Sequence, residues 1–274
     1  MHASAVLHAS AVLAALPKPP YRFPGARVLY QPKWVRVEAA QRVTPDGVQL
    51  LSAFGWTLGG VFVVDWTDSP IGPYSEAAVL SGLVWHSGAV GAWASHIVVT
   101  SPDAVAAGRE FWGLPAVEGV VLLQPASAAG QAEPPRAGEA ASSEGVVASA
   151  AALTGAGDAA APLVLDFESN VRVVVRGWQG RAAPLPPLPA GTTPLSLSLP
   201  SLSGGLPPNG PILRYPLTLT APRRARLRPA AVTVWTSGIT PSALVAVLDG
   251  PPASPCLELE GVDVVAGAAA VLTR

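Results

Sequence analysis

Two short stretches combine ionisable side chains with apolar, strand-rich surroundings. The first, DWTDSPIGPYSE, holds Tyr74 and Glu76, and the second, AGREFWGLP, holds Arg109 and Glu110. A buried glutamate resists ionisation, and an arginine facing it restores the charge. Such a pair inside an apolar cavity would orient the polar end of a ligand or take part in acid–base chemistry. The alternative is a structural ion pair that ties the turn to the following helix, and the residues alone leave both interpretations open.

The common catalytic and metal-binding motifs do not occur in the sequence. It contains no GxSxG, HExxH, phosphate-loop or CxxC motif, and its single cysteine, Cys256, excludes an intrachain disulfide. His86 and His96 are too few, and lie in too apolar a context, to form a metal site by themselves. We therefore predict no metal site and no cofactor.

The sequence around Arg109 predicts a helix. Ser101 or Asp103 can cap SPDAVAAGREFWGLP, Pro102 suits the first turn, and Gly113 with Pro115 ends it. If Arg109 and Glu76 act together, this helix must place Arg109 at the same cavity as Glu76.

The remaining signals favour strands. The sequence contains 30 prolines and 27 glycines, which argue against an all-helical protein. Phe62 to Trp66 is typical of a buried strand, and a turn follows at Asp68. Residues 77–102 carry no formal charge and are long enough to span a membrane, but their glycines, serines and histidines and the break at Ser87-Gly88 favour a soluble hairpin. We therefore predict no transmembrane segment.

Two stretches are predicted to lie outside the packed core. Residues 1–18 lack the basic region of a secretory signal, so we predict a flexible extension, with a short presequence as the alternative. Residues 127–162 consist almost wholly of Ala, Gly, Ser, Glu and Pro, which predicts a low-complexity insertion. Residues 19–274 then form a single domain interrupted by that insertion.

Charge gives no indication of a nucleic-acid partner. Charged residues make up 13% of the chain and the formal net charge is -1, so no overall field attracts nucleic acid or an anionic membrane. The arginine cluster at residues 223–228 is predicted to form a solvated turn between two strands. We therefore predict no nucleic-acid binding.

The order of three segments resembles the acetoacetate decarboxylase-like superfamily. PPYRFPGARVLY, DSPIGPYSE and VVTSPDAVAAGREFWGLP follow one another as that family's G-x-Y-x-E turn, strand pair and G-R-E-x-x-G-x-P-K helix end do, over residues 19–120. The resemblance implies a mainly β (α+β) fold, in which a curved antiparallel sheet or cone encloses an apolar cavity, with few short helices.

Within that superfamily the chain is similar to the plant and algal neoxanthin-deficient proteins. The segments AFGWTLGG, DSPIG and GREFWGLP carry this similarity. It implies a role in neoxanthin biosynthesis, a late xanthophyll (carotenoid) step upstream of abscisic acid, and a plastid location, with the cytoplasm as the alternative.

The resemblance also assigns positions. Glu76 stands where the superfamily has a site glutamate, and Arg27 is the candidate for its carboxylate-binding arginine. The nucleophilic lysine of the decarboxylases would stand at Ala116. Arginine stays protonated near neutral pH, with a pKa of about 12 or higher, so Arg109 cannot replace that amine. The chain has only two lysines, Lys18 and Lys33, and both lie near its start. We therefore predict that it is not a Schiff-base decarboxylase.

The leading hypothesis is an accessory or ligand-binding protein for neoxanthin formation. Its cavity would hold an apolar small molecule such as a xanthophyll, with Arg27, Tyr74, Glu76 and Arg109 as candidate ligand contacts. One alternative is a lysine-independent isomerase or hydrolyase that uses Glu76 as its acid–base group. Another is a structural partner of a membrane-bound xanthophyll enzyme. The sequence allows an oligomer without specifying one.

Overall fold

The structure is a computed structural model that describes residues 16–122, 163–168, 171–176, 183–184, 197–204, 210–220, 224–228, 231–236 and 243–273. The predicted insertion at 127–162 and nearly all of the predicted extension at 1–18 lie outside the described residues. The prediction of a single domain over 19–274 therefore stays a prediction.

Strands dominate the described residues. They are β1 (Tyr21–Arg36), β2 (Gln49–Leu50), β3 (Trp56–Trp66), β4 (Tyr74–His86), β5 (Ala89–Val99), β6 (Ala116–Glu118), β7 (Val120–Leu122), β8 (Leu163–Glu168), β9 (Val171–Arg176), β10 (Ala183–Pro184), β11 (Leu197–Gly204), β12 (Ile212–Leu219), β13 (Arg224–Arg228), β14 (Ala231–Thr236), β15 (Cys256–Ala266) and β16 (Ala270–Leu272). The helices described are α1 (Val37–Gln41), α2 (Pro102–Trp112) and α3 (Ala243–Leu248).

The larger sheet closes on itself. Its 12 strands follow the path β10-β13-β15-β1-β3-β4-β5-β11-β12-β16, with β2 on β4 and β6 on β5. Strand β12 also pairs with β15, through Leu217↔Ala266 and the next two residue pairs. This pairing closes the run of strands from β15 to β12 into a ring. The predicted mainly β fold, with a curved sheet that encloses an apolar cavity, is confirmed. Most pairings are antiparallel, but β5 also pairs in parallel with β6 and with β11. Strands β14, β9, β8 and β7 form a second sheet of four.

Both faces of the closed sheet bury apolar side chains. On the outer face, Val61 and Val63 of β3 pack with Leu244 and Val247 of α3. On the inner face, Val64 and Trp66 of the same strand pack with Trp112 of α2. Successive side chains of a strand point to opposite faces, so β3 contributes alternately to the two cores. Strands that are buried on both sides explain why half of the chain is hydrophobic.

The helix predicted around Arg109 is confirmed. The hydroxyl of Ser101 accepts a hydrogen bond from the Ala104 amide at 3.4 Å, so Ser101, not Asp103, is the N-cap. Pro102 opens the helix, where the lack of an N–H is harmless. Gly113 ends it at φ 58°, in the left-handed region that favours glycine.

The predicted hairpin of residues 77–102 is also confirmed. Strands β4 and β5 pair antiparallel, and the turn lies at Ser87 (φ 46°) and Gly88 (φ 78°), the predicted break. Positive φ at both turn residues suits a tight hairpin connection. In the part of the chain that the structure describes, no helix has the length and hydropathy needed to cross a membrane.

The arginine cluster forms a strand, and the prediction of a turn there was wrong. Arg224–Arg228 is β13, which pairs with both β10 and β15. Arg224 lies opposite Glu260 and Arg226 opposite Glu258 in the register. The alternation of arginine with Ala225 and Leu227 has the period of a strand.

Candidate functional site

A cavity of about 100 Å³ lies between the inner face of the closed sheet and α2. Its lining is apolar and aromatic apart from one carboxyl group and three tyrosine hydroxyls. The lining residues are Tyr21, Phe23, Phe62, Trp66, Ile71, Tyr74, Glu76, Ile97, Val99, Ala104, Ala107, Gly108, Trp112, Leu114, Ala116, Leu199, Tyr215, Leu217, Leu219, Val264 and Ala266.

Glu76 is the cavity's carboxyl group. It lies on β4 between Val64 of β3 and Val99 of β5, so the pairing of three strands fixes its backbone. The indole Nε1 of Trp66 donates a hydrogen bond to its Oε2 at 3.1 Å. Loss of water around the carboxyl raises its pKa, and the Trp66 hydrogen bond partly opposes that rise. A carboxyl whose pKa is raised toward neutrality is suited to giving and taking protons.

Two tyrosines share the electrostatic environment of Glu76. Burial raises the pKa of Tyr74 well above its usual value, and the charge of Glu76 raises it further. Burial likewise raises the pKa of Tyr215, again with a contribution from Glu76, while a hydrogen bond with Ser201 opposes the rise. Both hydroxyls therefore keep their protons at any physiological pH. Tyr74 was predicted as a site residue, whereas Tyr215 was missed because it comes from a distant strand, ILRYPLTL, with no motif around it.

The third tyrosine of the lining is tied to the start of the described chain. The Tyr21 hydroxyl donates to the Pro17 carbonyl at 2.7 Å, and its ring packs edge-on against Trp112 with the centroids 5.0 Å apart. Burial, with a smaller contribution from Asp103, raises the pKa of Tyr21. Tyr21 therefore closes one side of the cavity mainly through its ring.

Ala116 also faces this cavity. It opens β6 in parallel register with Ile97 of β5 and is 1% exposed. Neither lysine of the chain lies among the lining residues. Lys33 is buried on β1, where burial lowers its pKa and Asp249 partly opposes that change. The position that the resemblance gives to a nucleophilic lysine thus holds a methyl group on the same cavity wall as Glu76.

Arg109 lies outside the cavity, which differs from the expectation that it contacts a ligand with Glu76. Its side chain is exposed, and its Nε donates to the Ala116 carbonyl at 2.8 Å. The cause is the phase of α2, which turns Ala104, Gly108 and Trp112 toward the cavity and Arg109 with Glu110 toward solvent. Arg109 anchors β6 to the end of α2.

Arg27 also lies away from the cavity lining. Its Nη2 and Nε contact Oε1 of Glu258 at 2.6 and 3.0 Å, and the Glu258 side chain is fully buried. The register of β1 against β15 shifts on each side of Ala26. Because of this bulge, the inner face passes from Phe23 to Ala26 and Val28, and Arg27 turns to the other face.

Comparison with known proteins supports the family resemblance. The sequence profile of the family described as Acetoacetate decarboxylase (ADC) matches residues 6–131. The chain is 43% identical to Protein NEOXANTHIN-DEFICIENT 1 of Solanum lycopersicum over 98 residues, which make up 36% of this chain and 33% of that protein. The resemblance predicted from the sequence is confirmed. The match spans about a third of the length of this curated relative.

Solved structures extend the fold comparison to most of the chain. The acetoacetate decarboxylase of Legionella pneumophila has a TM-score of 0.56 at 16% identity, covering 94% of this chain and 88% of its own. The enduracididine biosynthesis enzyme MppR complexed with pyruvate has a TM-score of 0.54 at 17% identity, covering 94% and 92%. The acetoacetate decarboxylase fold is therefore present here, and its cavity is lined by both Glu76 and the apolar residue Ala116.

Proposed function

We propose that this protein acts in neoxanthin formation as an accessory, ligand-binding protein rather than as a Schiff-base decarboxylase. The observation that carries the proposal is the cavity itself, which pairs Glu76 with an apolar lining and has Ala116 where an amine would be needed. The identity to a protein named for neoxanthin deficiency supports the pathway.

The ligand in this proposal is an apolar small molecule such as a xanthophyll. Aromatic and aliphatic side chains form nearly all of the lining, which favours the burial of a hydrocarbon. A cavity of about 100 Å³ is smaller than the roughly 150 Å³ that accommodates benzene in an engineered protein core. We therefore assign to it one ring-sized end of a longer molecule, held after a small adjustment of the walls. The protein would work in the plastid beside a membrane-bound xanthophyll enzyme that receives or supplies this molecule.

Glu76 also supports a second candidate, a lysine-independent isomerase or hydrolyase. Its carboxyl has a raised pKa and a fixed direction, since Trp66 holds one oxygen at 3.1 Å. A positioned carboxyl of this kind can transfer a proton to or from an apolar substrate. Tyr74, whose hydroxyl remains protonated, would stabilise a developing negative charge beside it.

Complementation of a neoxanthin-lacking plant or algal strain tests the proposal and separates the two candidates. The wild-type chain restores neoxanthin if the proposal holds, and failure at normal protein level contradicts it. Glu76→Gln keeps a hydrogen-bonding group of the same shape but cannot transfer a proton. Binding alone therefore predicts substantial rescue by this variant, whereas acid–base catalysis predicts none. Arg109→Ala serves as the control, because Arg109 lies outside the cavity and its loss spares the ligand contacts.

A further inference from the structure

The polar groups of the cavity indicate what kind of ligand end it accepts. We propose that the cavity binds an uncharged oxygen group, a hydroxyl or a ketone, at the end of an apolar molecule, and that it rejects carboxylates. The inference rests on the proposed function only in treating this cavity as a ligand site. It names the class of ligand and adds Tyr215 to the polar groups that line the site.

The charges around the cavity argue against an anionic ligand. Among the lining residues that the structure describes there is no lysine, arginine or histidine, and Glu76 is their one carboxyl. A carboxylate entering this space would lose its water, find no cation to replace it and meet the charge of Glu76. Arg27, the candidate for a carboxylate-binding arginine, is engaged by Glu258 instead. The fold thus encloses a cavity from which both the amine and the arginine are missing.

Donors and acceptors for a neutral oxygen are present. Trp66 occupies Oε2 of Glu76, and the other carboxyl oxygen has no hydrogen bond among the described residues. The Tyr74 hydroxyl, close enough to Glu76 for the two to interact electrostatically, has no hydrogen-bond partner among the described residues. A ligand oxygen lying between them accepts from Tyr74 O–H. A hydroxyl also donates to Glu76, and a ketone accepts from it when it is protonated.

Tyr215 of β12 adds another uncharged polar group to the lining. It is 6% exposed and lines the cavity, and it interacts electrostatically with Glu76. Its ring lies 6.5 Å from that of Trp112, centroid to centroid, so β12 and α2 hold it together. An unionised phenol beside Glu76 adds polarity without adding charge, which keeps the cavity selective for uncharged groups.

Ring compounds of similar size test the selectivity directly. Cyclohexanol, cyclohexanone, cyclohexanecarboxylate and methylcyclohexane are titrated into the purified full chain at pH 7, where a free carboxylic acid is ionised, with calorimetry or the fluorescence of the cavity tryptophans as the readout. We expect the alcohol and the ketone to bind at least about tenfold more tightly than the carboxylate. Tyr74→Phe should weaken the binding of the alcohol and the ketone about threefold to tenfold, the range expected for one lost hydrogen bond. It should leave the affinity for methylcyclohexane unchanged.

Tyr30→Phe is the matched control. Tyr30 is not a lining residue, and its hydroxyl donates to the Gly59 carbonyl at 2.8 Å. The proposal is overturned if the carboxylate binds as tightly as the alcohol, if no probe binds, or if Tyr30→Phe and Tyr74→Phe have equal effects. If Tyr74→Phe fails to fold, Glu76→Gln supplies a second comparison. This variant should reduce the difference in affinity between the alcohol and the carboxylate. If the probes behave as expected while the chain fails to restore neoxanthin, the proposed function fails and the ligand class stands.

Discussion

The indole of Trp66 donates a hydrogen bond to the carboxyl of Glu76 at 3.1 Å, across the two antiparallel strands β3 and β4. Trp66 lies opposite Tyr74 in the register and Glu76 lies opposite Val64, so the bond runs diagonally over the inner face. Trp66 is itself packed against Phe23, with ring centroids 4.2 Å apart. A rigid aromatic group therefore sets the direction of the cavity's one carboxyl.

Glu76→Gln should change the pH dependence of stability. Burial raises the pKa of Glu76 in the folded protein above its unfolded value. Below the unfolded pKa the carboxyl is protonated in both states and has no effect, whereas at higher pH the unfolded state ionises more readily, so the wild type loses stability as pH rises. Glutamine removes this loss. Urea unfolding of both proteins should thus show Glu76→Gln gaining free energy of unfolding relative to wild type from pH 4 to pH 8.

The difference between wild type and Glu76→Gln reports the titration of Glu76 and not that of other groups. Tyr74 and Tyr215, which interact electrostatically with Glu76, have pKa values raised above the usual 10 and stay protonated throughout that range. The difference in free energy of unfolding between the two proteins could instead stay constant with pH or shift in favour of wild type. Either result would show that the Glu76 carboxyl does not lose its water in the folded protein.

Borohydride reduction in the presence of a β-keto acid should leave the wild-type chain unmodified. Schiff-base formation needs a neutral lysine amine in contact with the substrate. Burial lowers the pKa of Lys33 and so favours its neutral form, but Lys33 does not line the cavity. Mass spectrometry of the reduced protein checks this. A stoichiometric adduct on Lys33 would overturn the rejection of Schiff-base chemistry.

Gly108 within α2 and Gly113 at its C-cap should respond differently to alanine. At Gly113, with φ 58°, an added Cβ would lie 3.0 Å from Leu213 Cδ1, so Gly113→Ala should cost about 1–2 kcal/mol of stability. At Gly108, inside the helix, an added Cβ would meet the Ala116 Cβ at 3.4 Å. The gain in helix propensity, about 1 kcal/mol, then offsets a tight but tolerable contact. Thermal or urea unfolding of the two variants measures both effects. Equal destabilisation would contradict the left-handed conformation of Gly113 at the end of α2.

Arg109→Ala should weaken the protein without changing ligand affinity. The variant loses the hydrogen bond from Nε to the Ala116 carbonyl, which is worth about 1 kcal/mol. Because Arg109 faces solvent, cyclohexanol should bind within about twofold of its wild-type affinity, a shift below roughly 0.5 kcal/mol. A tenfold loss of affinity at unchanged stability would place Arg109 in the ligand site after all.

Local signals in the sequence were enough to predict α2 and the β4–β5 hairpin, whereas the place of Glu76 in the site was predicted from the family resemblance. Capping residues and glycine placement act over a few residues, so Ser101 and Gly113 could be interpreted directly. The orientation of Arg27 could not, since it depends on a bulge that appears only when β1 pairs with β15. Tyr215 reaches the cavity through sheet closure by β12, a contact between distant segments that no local pattern encodes. Residues Arg224–Arg228 were predicted to form a turn for the same reason, because the strand they pair with, β15, is distant in the sequence.

The most direct test of ligand binding in the cavity compares the neoxanthin content of two neoxanthin-lacking strains, one that expresses Ala116→Leu and one that expresses Val117→Leu. Leucine at position 116 adds three carbon atoms to a cavity of about 100 Å³, whereas Val117, the next residue of β6, is 37% exposed and outside the lining. Protein levels and thermal stability are matched between the two strains. The cavity-binding account predicts that Val117→Leu restores neoxanthin like wild type and that Ala116→Leu does not. Full restoration by Ala116→Leu would contradict it.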